Sequence, residues 1–268
     1  MSKIPLDKYY TSDELAKYCV EKTKEIIGED NITEYLEPSA GAGVFLKYLD
    51  KPYLAYDIEP KHESIVKQDF LKLNIQYLCG RLVIGNPPYG KKNTLSVKFY
   101  KKAVELGDYI AFILPISQLN NNQQMYEFDL IYSEDLGKQI YSNIKLHCCF
   151  NIYKRNPNGL NKKPNYKLKD VEIKEYRRGK GGQTIPSDYN YDIAICGWGN
   201  GIVGNKVEYT GQYASEIYIK IKNAKYRQEV IDLMNNTDWE KHLSSISTKS
   251  LKLWRLYKYI KEQIPEIE

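Results

Sequence analysis

Between residues 34 and 115 one pattern recurs: a short apolar run ends in Gly, Pro or Asp, and segments with apolar residues at helical spacing intervene. "EYLEPSAGAG", "YLAYDIEP", "SIVKQDF", "RLVIGNPP" and "YIAFILP" are the runs. A parallel neighbour can be reached only through a crossover, so strands spaced in this way predict an α/β fold with a doubly wound, mostly parallel sheet. In such a sheet a ligand lies beyond the carboxyl ends of the strands, where strand order reverses. Each Gly, Pro or carboxylate cluster considered below falls at one of those ends.

Helices are expected between the runs. "TSDELAKYCVEKTKEII" opens with Thr11 or Ser12 as a cap, carries Glu14 near the third helical position and places Leu15, Cys19 and Val20 on one face. "EYLEPSAGAGVFLKYL" reads as strand, Gly turn and helix, and "SVKFYKKAVEL" as a helix before the fifth strand. The chain has 268 residues, 42% of them apolar, enough for a substantial core. No window approaches 18 uncharged apolar residues, and "MSKIPLDKYYTSDEL" lacks the build of a signal peptide, which predicts a cytoplasmic protein without membrane contact. Cys19, Cys79, Cys148, Cys149 and Cys196 show no metal-ligand spacing, so buried reduced thiols and no metal are expected. A formal net charge of +5 favours a polyanionic partner. The 25 tyrosines offer rings that could stack on bases, but the chain is also rich in Lys, Ile and Asn, so an AT-rich genome is the simpler explanation.

In "EPSAGAG", Gly41 and Gly43 allow a sharp turn and close approach to a ligand, and the helix expected to follow offers free N–H groups. The spacing fits neither GxGxxG nor a P-loop. Asp57 ends the second strand, where a carboxylate can accept both hydroxyls of a ribose. Asp69 beside Phe70 ends the third and can accept from an adenine amino group while the ring stacks. Three successive strand ends thus describe an adenosine-shaped ligand.

The fourth strand runs into "NPPY", residues 86 to 89. Two prolines remove two N–H donors and leave carbonyls without local partners, Asn86 adds a side-chain carbonyl, and Tyr89 adds a flat face. Two acceptors and an aromatic suit a flat ring bearing an exocyclic amine.

Taken in order, "EPSAGAG", "YDIEP" and "NPPY" resemble the S-adenosylmethionine-dependent amino-methyltransferases, in particular the DNA adenine-N6 methyltransferases of the kind found in restriction-modification systems. The resemblance covers about residues 8 to 155. It implies a Rossmann-like methyltransferase fold with a seven-stranded sheet, S-adenosyl-L-methionine as cofactor, and double-stranded DNA as partner, its target base flipped out. By motif, Asn86 and Pro87 would accept from adenine N6, followed by Pro88, with Tyr89 as the stacking face. Glu37, Ala40, Gly41 and Gly43 would form the cofactor loop, Asp57 and Ile58 the ribose and adenine contacts, and Asp69 and Phe70 the contacts to the adenine amino group. Tyr10 and Thr11 resemble the N-terminal motif near the methionine end of the cofactor, and Phe99 a residue packing on its adenine.

Only 16 residues separate Asp69 from Asn86, too few for an inserted recognition domain, so the order is gamma-like, as in TaqI-type enzymes. Residues 1–155 are expected to form the catalytic domain and residues 156–268 a small basic C-terminal region for target recognition. "EDLGKQIYSNIKLHCCFNIYKR" resembles the family's base-contacting hairpin, with Tyr141 as the candidate aromatic and Phe150 and Tyr153 as alternatives; His147, in an apolar strand, reads as a core histidine. Residues 154 to 182 hold ten Lys and Arg against three Asp and Glu, a run suited to phosphates. "YDIAICGWGNGIVG" reads as a strand and a Gly-rich turn, with Trp198 and Asn200 as further base contacts or Trp198 as core. "SEIYIKIKNAKYRQEVIDLMNN" begins extended and ends helical, and "TKSLKLWRLYKYIKEQI" reads as an amphipathic helix. RNA in place of DNA, a protein glutamine, and a non-catalytic nucleic-acid-binding role are the rival readings.

Overall fold

A computed structural model of the chain describes residues 11–141, 144–178, 190–243 and 249–268. The chain divides into two compact units, Met1–Pro164 and Asn165–Glu268. The first is built on a seven-stranded sheet in the order β3-β2-β1-β4-β5-β7-β6. These strands are β1 (Glu34–Glu37), β2 (Tyr53–Asp57), β3 (Val66–Lys67), β4 (Arg81–Gly85), β5 (Tyr109–Pro115), β6 (Asp129–Tyr141) and β7 (Ile144–Lys154). All pairs among β1 to β5 are parallel, and β7 runs antiparallel to both β5 and β6. The expected α/β class and mostly parallel sheet are therefore present. Strand order reverses between β1 and β4, which puts the ends of Glu37 and Gly85 side by side.

Alternate residues of the central strands feed two cores, because successive side chains of a strand point to opposite faces. On one face α1 (Asp13–Ile27) packs Ala16, Cys19 and Val20 against Tyr35, Leu82, Ile84 and Ile113. On the other, α2 (Thr94–Val104) packs Phe99, Tyr100 and Ala103 against Leu36, Val83, Ile110 and Phe112. Burial on both faces explains the continuous apolar runs of β4 and β5. Each large side chain so buried contributes about 1.5–3 kcal/mol. Ser12 caps α1, its Oγ accepting from Leu15 N at 3.2 Å, and Gly28 closes it at φ 85°.

Three local expectations need correction. The helix expected after the glycine turn is only a 3-10 turn, Phe45–Tyr48, since the chain must return to β2 within a few residues. The third strand is two residues long and exposed at the sheet edge. His147 is not a core residue: it lies in β7 with its Nε2 2.6 Å from Asp135 Oδ1, an ion pair at the hairpin surface when protonated. Of the cysteines, Cys79 is exposed and the other four are buried and free.

The second unit has a three-stranded antiparallel sheet, ordered β8-β10-β9, from β8 (Val171–Arg177), β9 (Ile193–Cys196) and β10 (Ser215–Ile221). With α3 (Arg227–Asn236), the one-turn α4 (Trp239–His242) and α5 (Leu253–Gln263), it encloses its own core of Ile173, Ile217, Ile219, Val230, Leu256 and Ile260. The β9 edge is paired by the following loop, and the β8 edge is met at one amide. Val207 N donates to Ala194 O and Gly204 N to Cys196 O beside β9, and the Tyr257 hydroxyl accepts from Ile173 N at 2.9 Å beside β8. Tyr257→Phe leaves that amide unpaired in a buried place, so we expect a loss of about 1–3 kcal/mol, read as a lower denaturant midpoint with faster exchange of the Ile173 amide. A midpoint equal to that of the native protein would show that the edge is held by packing alone. Among the described residues, no helix is long and apolar enough to cross a membrane.

Candidate active site

A cavity of about 560 Å³ opens at the carboxyl edge of the first unit's sheet, within the size range of small-molecule sites. Its floor is the turn after β1. Gly41 (φ 53°) and Gly43 (φ 77°) both adopt the left-handed conformation that the turn needs. Ala40 N donates to Tyr56 O, and Gly41 N donates to Asp57 Oδ2 at 2.8 Å. Asp57 therefore holds the glycine turn while its other oxygen accepts from Glu59 N at 2.7 Å. A carboxylate oxygen has two acceptor positions, so both remain able to take a hydroxyl donor. Ile58, 41% exposed, also lines the cavity.

The opposite wall comes from the segment after β3 and from α2. Asp69 accepts from Leu71 N at 3.0 Å and caps a short turn that turns Phe70 into the core. Phe70 and Phe99 pack with ring centroids 5.2 Å apart, and both contribute to the lining. The Phe70 ring is thus core wall, 1% exposed, and not an open stacking plate.

Two buried acceptors in this region have no hydrogen-bond partner among the described residues: Glu37 Oε2 and Asn86 Oδ1. Glu37 ends β1 and is 2% exposed. Burial, with the Asp57 carboxylate adding to it, pushes its pKa up to about 8. A buried acid that lines a cavity with one oxygen unpaired fits a cationic partner. Asn86 follows β4; its Nδ2 donates to Thr11 Oγ1 at 3.2 Å, which leaves the amide oxygen as the orphan.

The backbone of the same tetrapeptide shows a matching pattern. The Asn86 carbonyl accepts from Ser39 Oγ at 3.3 Å and the Pro88 carbonyl from Ser96 Oγ at 3.3 Å. The Pro87 carbonyl between them has no donor among the described residues. Hydroxyls thus satisfy the two flanking carbonyls, and two acceptors remain unclaimed: the Asn86 side-chain oxygen and the Pro87 carbonyl. The roles of Ser39 and Ser96 were missed in sequence, because a serine gives no local sign of its partner, 47 residues away in the chain for Ser39 and 8 for Ser96.

Tyr89 departs from expectation. It is 6% exposed and packs among Ile84, Ala111, Ile113 and Phe150, with its hydroxyl 3.5 Å from Cys148 Sγ. Its carbonyl accepts from Leu95 N and Ser96 N at the start of α2, which anchors the residue inward. Phe150 and Tyr153 are also fully buried, and so present no ring to a base. Tyr10 lies outside the described residues. The backbone of Tyr141 pairs with Ile144 at the end of the β6–β7 hairpin, beyond the Pro115–Cys148 pair that ends the pairing with β5; its side chain lies outside what is described.

The basic stretch is partly neutralised, by carboxylates inside it and outside it. Arg155 bridges Asp108, Lys174 bridges Glu172, Arg177 bridges Glu175, and Lys169 bridges Glu268. Lys162, Lys163 and Lys167 are on the surface without an ion pair among the described residues. Trp198 is 48% exposed and is not core. A second concavity, of about 740 Å³ in the second unit, is lined by Glu229, Asp232 and Asp238 as well as Lys241 and His242, an acidic set ill suited to phosphates. Among the described residues, no group of His, Cys, Asp or Glu could hold a metal ion.

No family model and no curated protein matches the chain. Among solved structures it is similar to a protein assigned as an RNA methyltransferase from Pyrococcus horikoshii, at 15% identity over 58% of this chain and 90% of that one, with a TM-score of 0.47. It is also similar to the 23S rRNA methyltransferase ErmE, at 17% identity over 58% and 72% of the two chains, with a TM-score of 0.41. A third likeness is to a type I restriction-modification methyltransferase subunit from Streptococcus thermophilus, at 16% identity over 56% and 46%, with a TM-score of 0.41. At these scores the likenesses are loose.

Proposed function

We propose that the protein is an S-adenosyl-L-methionine-dependent methyltransferase acting on adenine N6 of nucleic acid, with double-stranded DNA as the substrate. The orphaned Asn86 oxygen, in the wall of a cavity that an orphaned acid also lines, carries this reading, with the Pro87 carbonyl, next in the chain and without a donor among the described residues, as the second acceptor. The cavity residues fit the cofactor by chemistry: Asp57 for ribose hydroxyls, Phe99 and Ile58 for a flat apolar ring, and the Glu37 carboxyl for a cationic end. When bound, the cofactor supplies an electrophilic methyl group on a sulfonium, a good leaving group.

The protein's own task is to prepare the amine. The N6 lone pair is delocalised into the purine and is a poor nucleophile while the amine stays planar. Two acceptors, one for each N–H, draw the amine toward tetrahedral geometry and stabilise the positive charge that develops on nitrogen. Orientation for in-line attack supplies much of the remaining barrier reduction, and the proton leaves afterwards to solvent, so no dedicated base is needed. A duplex hides the amine, so the base must leave the stack. With Tyr89 packed inward, the reading rests on the acceptors and not on an aromatic platform.

The test is transfer of labelled methyl to DNA or to RNA, followed by digestion to nucleosides. Label on N6-methyldeoxyadenosine is expected. Label only on adenosine from RNA would reassign the substrate, and label on neither would remove the proposal.

A further inference from the structure

Asn86 carries a carboxamide, whose two ends have nearly the same shape but opposite hydrogen-bonding roles: the oxygen accepts and the NH2 donates. Methyl acceptance at an exocyclic amine requires the oxygen end to face the substrate. A carboxamide turned by 180° would set its own N–H groups against those of the amine, which replaces an attraction by a repulsion. The carboxamide must therefore be held with its oxygen end toward the substrate.

The contacts of Asn86 contain an anchor for the other end. Its Nδ2 donates to Thr11 Oγ1 at 3.2 Å, and its Oδ1 is buried without a partner. Its backbone is held separately by Ser39, whose hydroxyl donates to the Asn86 carbonyl. Thr11 also lines the cavity, yet its neighbour Ser12, not Thr11, caps α1. The Thr11 hydroxyl is thus not used by the helix and is directed instead at a residue 75 positions along the chain. The family resemblance implies a contact to the cofactor for Thr11; the hydrogen bond to Asn86 is a different role.

We infer that Thr11 is a positioning residue that acts through Asn86, its hydroxyl accepting from the amide NH2 and so pinning that end of the carboxamide, with the oxygen end left for the substrate amine. This rests on the functional reading above. It requires that loss of the Thr11 hydroxyl slow turnover without a proportionate loss of cofactor affinity, because the residue acts on the acceptor. Restoring a hydroxyl without the methyl group should restore most of the rate.

The experiment compares the full-length protein with Thr11→Val, a near-isosteric change, and Thr11→Ser. Three readouts are taken: cofactor affinity by calorimetry, single-turnover methyl transfer to DNA, and the Asn86 side-chain NH2 signals in a 1H–15N spectrum, identified by their absence in Asn86→Asp. For Thr11→Val we expect transfer slowed by about tenfold or more with cofactor affinity within about threefold, and faster solvent exchange of the Asn86 NH2. Thr11→Ser should recover transfer to within about threefold and slow the exchange again. Unchanged transfer by Thr11→Val, or a loss of cofactor affinity equal to the loss of rate, would overturn the inference. Should the native protein methylate no nucleic acid, the functional reading fails by itself. The NH2 exchange then still decides whether Thr11 holds the amide: equal exchange in all three proteins overturns that too, and faster exchange in Thr11→Val alone upholds it. A matched thermal midpoint for the three proteins shows that the variants are folded.

Discussion

Asn86→Ala is expected to lower the rate of methyl transfer about 10²- to 10³-fold while cofactor affinity stays within a few-fold of native. That range is typical for removing one preorganised group aimed at developing charge. The orphaned Oδ1 is the reason: an acceptor that the folded chain leaves buried without a donor is a cost, and that cost is recovered only when a substrate donor arrives. Alanine removes both the cost and the recovery, so the fold should be no less stable and the chemistry should suffer. Asn86→Asp keeps an acceptor oxygen and should fall less than Asn86→Ala. Single-turnover transfer of labelled methyl, with calorimetry for cofactor binding, separates the two effects. An alanine variant that transfers at the native rate would remove Asn86 from the chemistry.

Glu37 should couple cofactor binding to proton release. Its pKa is raised from an ordinary 4.5 to about 8, chiefly by burial and then by the Asp57 charge. Between those values the folded chain holds a proton that the unfolded chain has lost. The stability from burying the neutral acid is therefore fully present below pH 4.5, declines by about 1.4 kcal/mol per pH unit above it, and is gone above about pH 8. Glu37→Gln does not titrate. Relative to the native protein it should gain stability as pH rises from 5 to 8, by a few kcal/mol at the upper end.

Binding should move the other way. A cationic group set against Glu37 favours the ionised form, so cofactor binding at pH 6.5 should release a proton, and the native protein should bind more tightly as pH rises toward 8. Calorimetry in phosphate and in Tris, whose ionisation heats differ, should give different binding heats for the native protein and equal heats for Glu37→Gln. The variant should bind about 10- to 100-fold more weakly at pH 8, the strength of one hydrogen bond to a charged group. Equal heats in both buffers for the native protein would show that Glu37 does not meet the cation.

Much of the fold was legible because it depends on local patterns. Five apolar runs, each ended by Gly, Pro or Asp, announced β1 to β5, and the capped amphipathic stretch before them announced α1. Continuous apolar runs in β4 and β5 follow from burial on both faces. The helix expected after "EPSAGAG" failed because propensity cannot see how soon the chain must return to β2. His147 was misread as core for a similar reason: its partner Asp135 lies across a hairpin whose register no single strand reveals.

At the candidate site the division is sharper. Sequence alone determined which residues stand at the strand ends, because Asn86, Pro87, Pro88 and the glycines of the turn follow their strands directly in the chain. Only the tertiary structure decided which of their atoms are spoken for. Ser39 and Ser96 reach across to satisfy two carbonyls, Thr11 takes the amide NH2, and packing under α1 draws Tyr89 inward. A hydrogen bond is satisfied by whatever donor lies within about 3 Å in space, and that distance is not a property of neighbours in sequence.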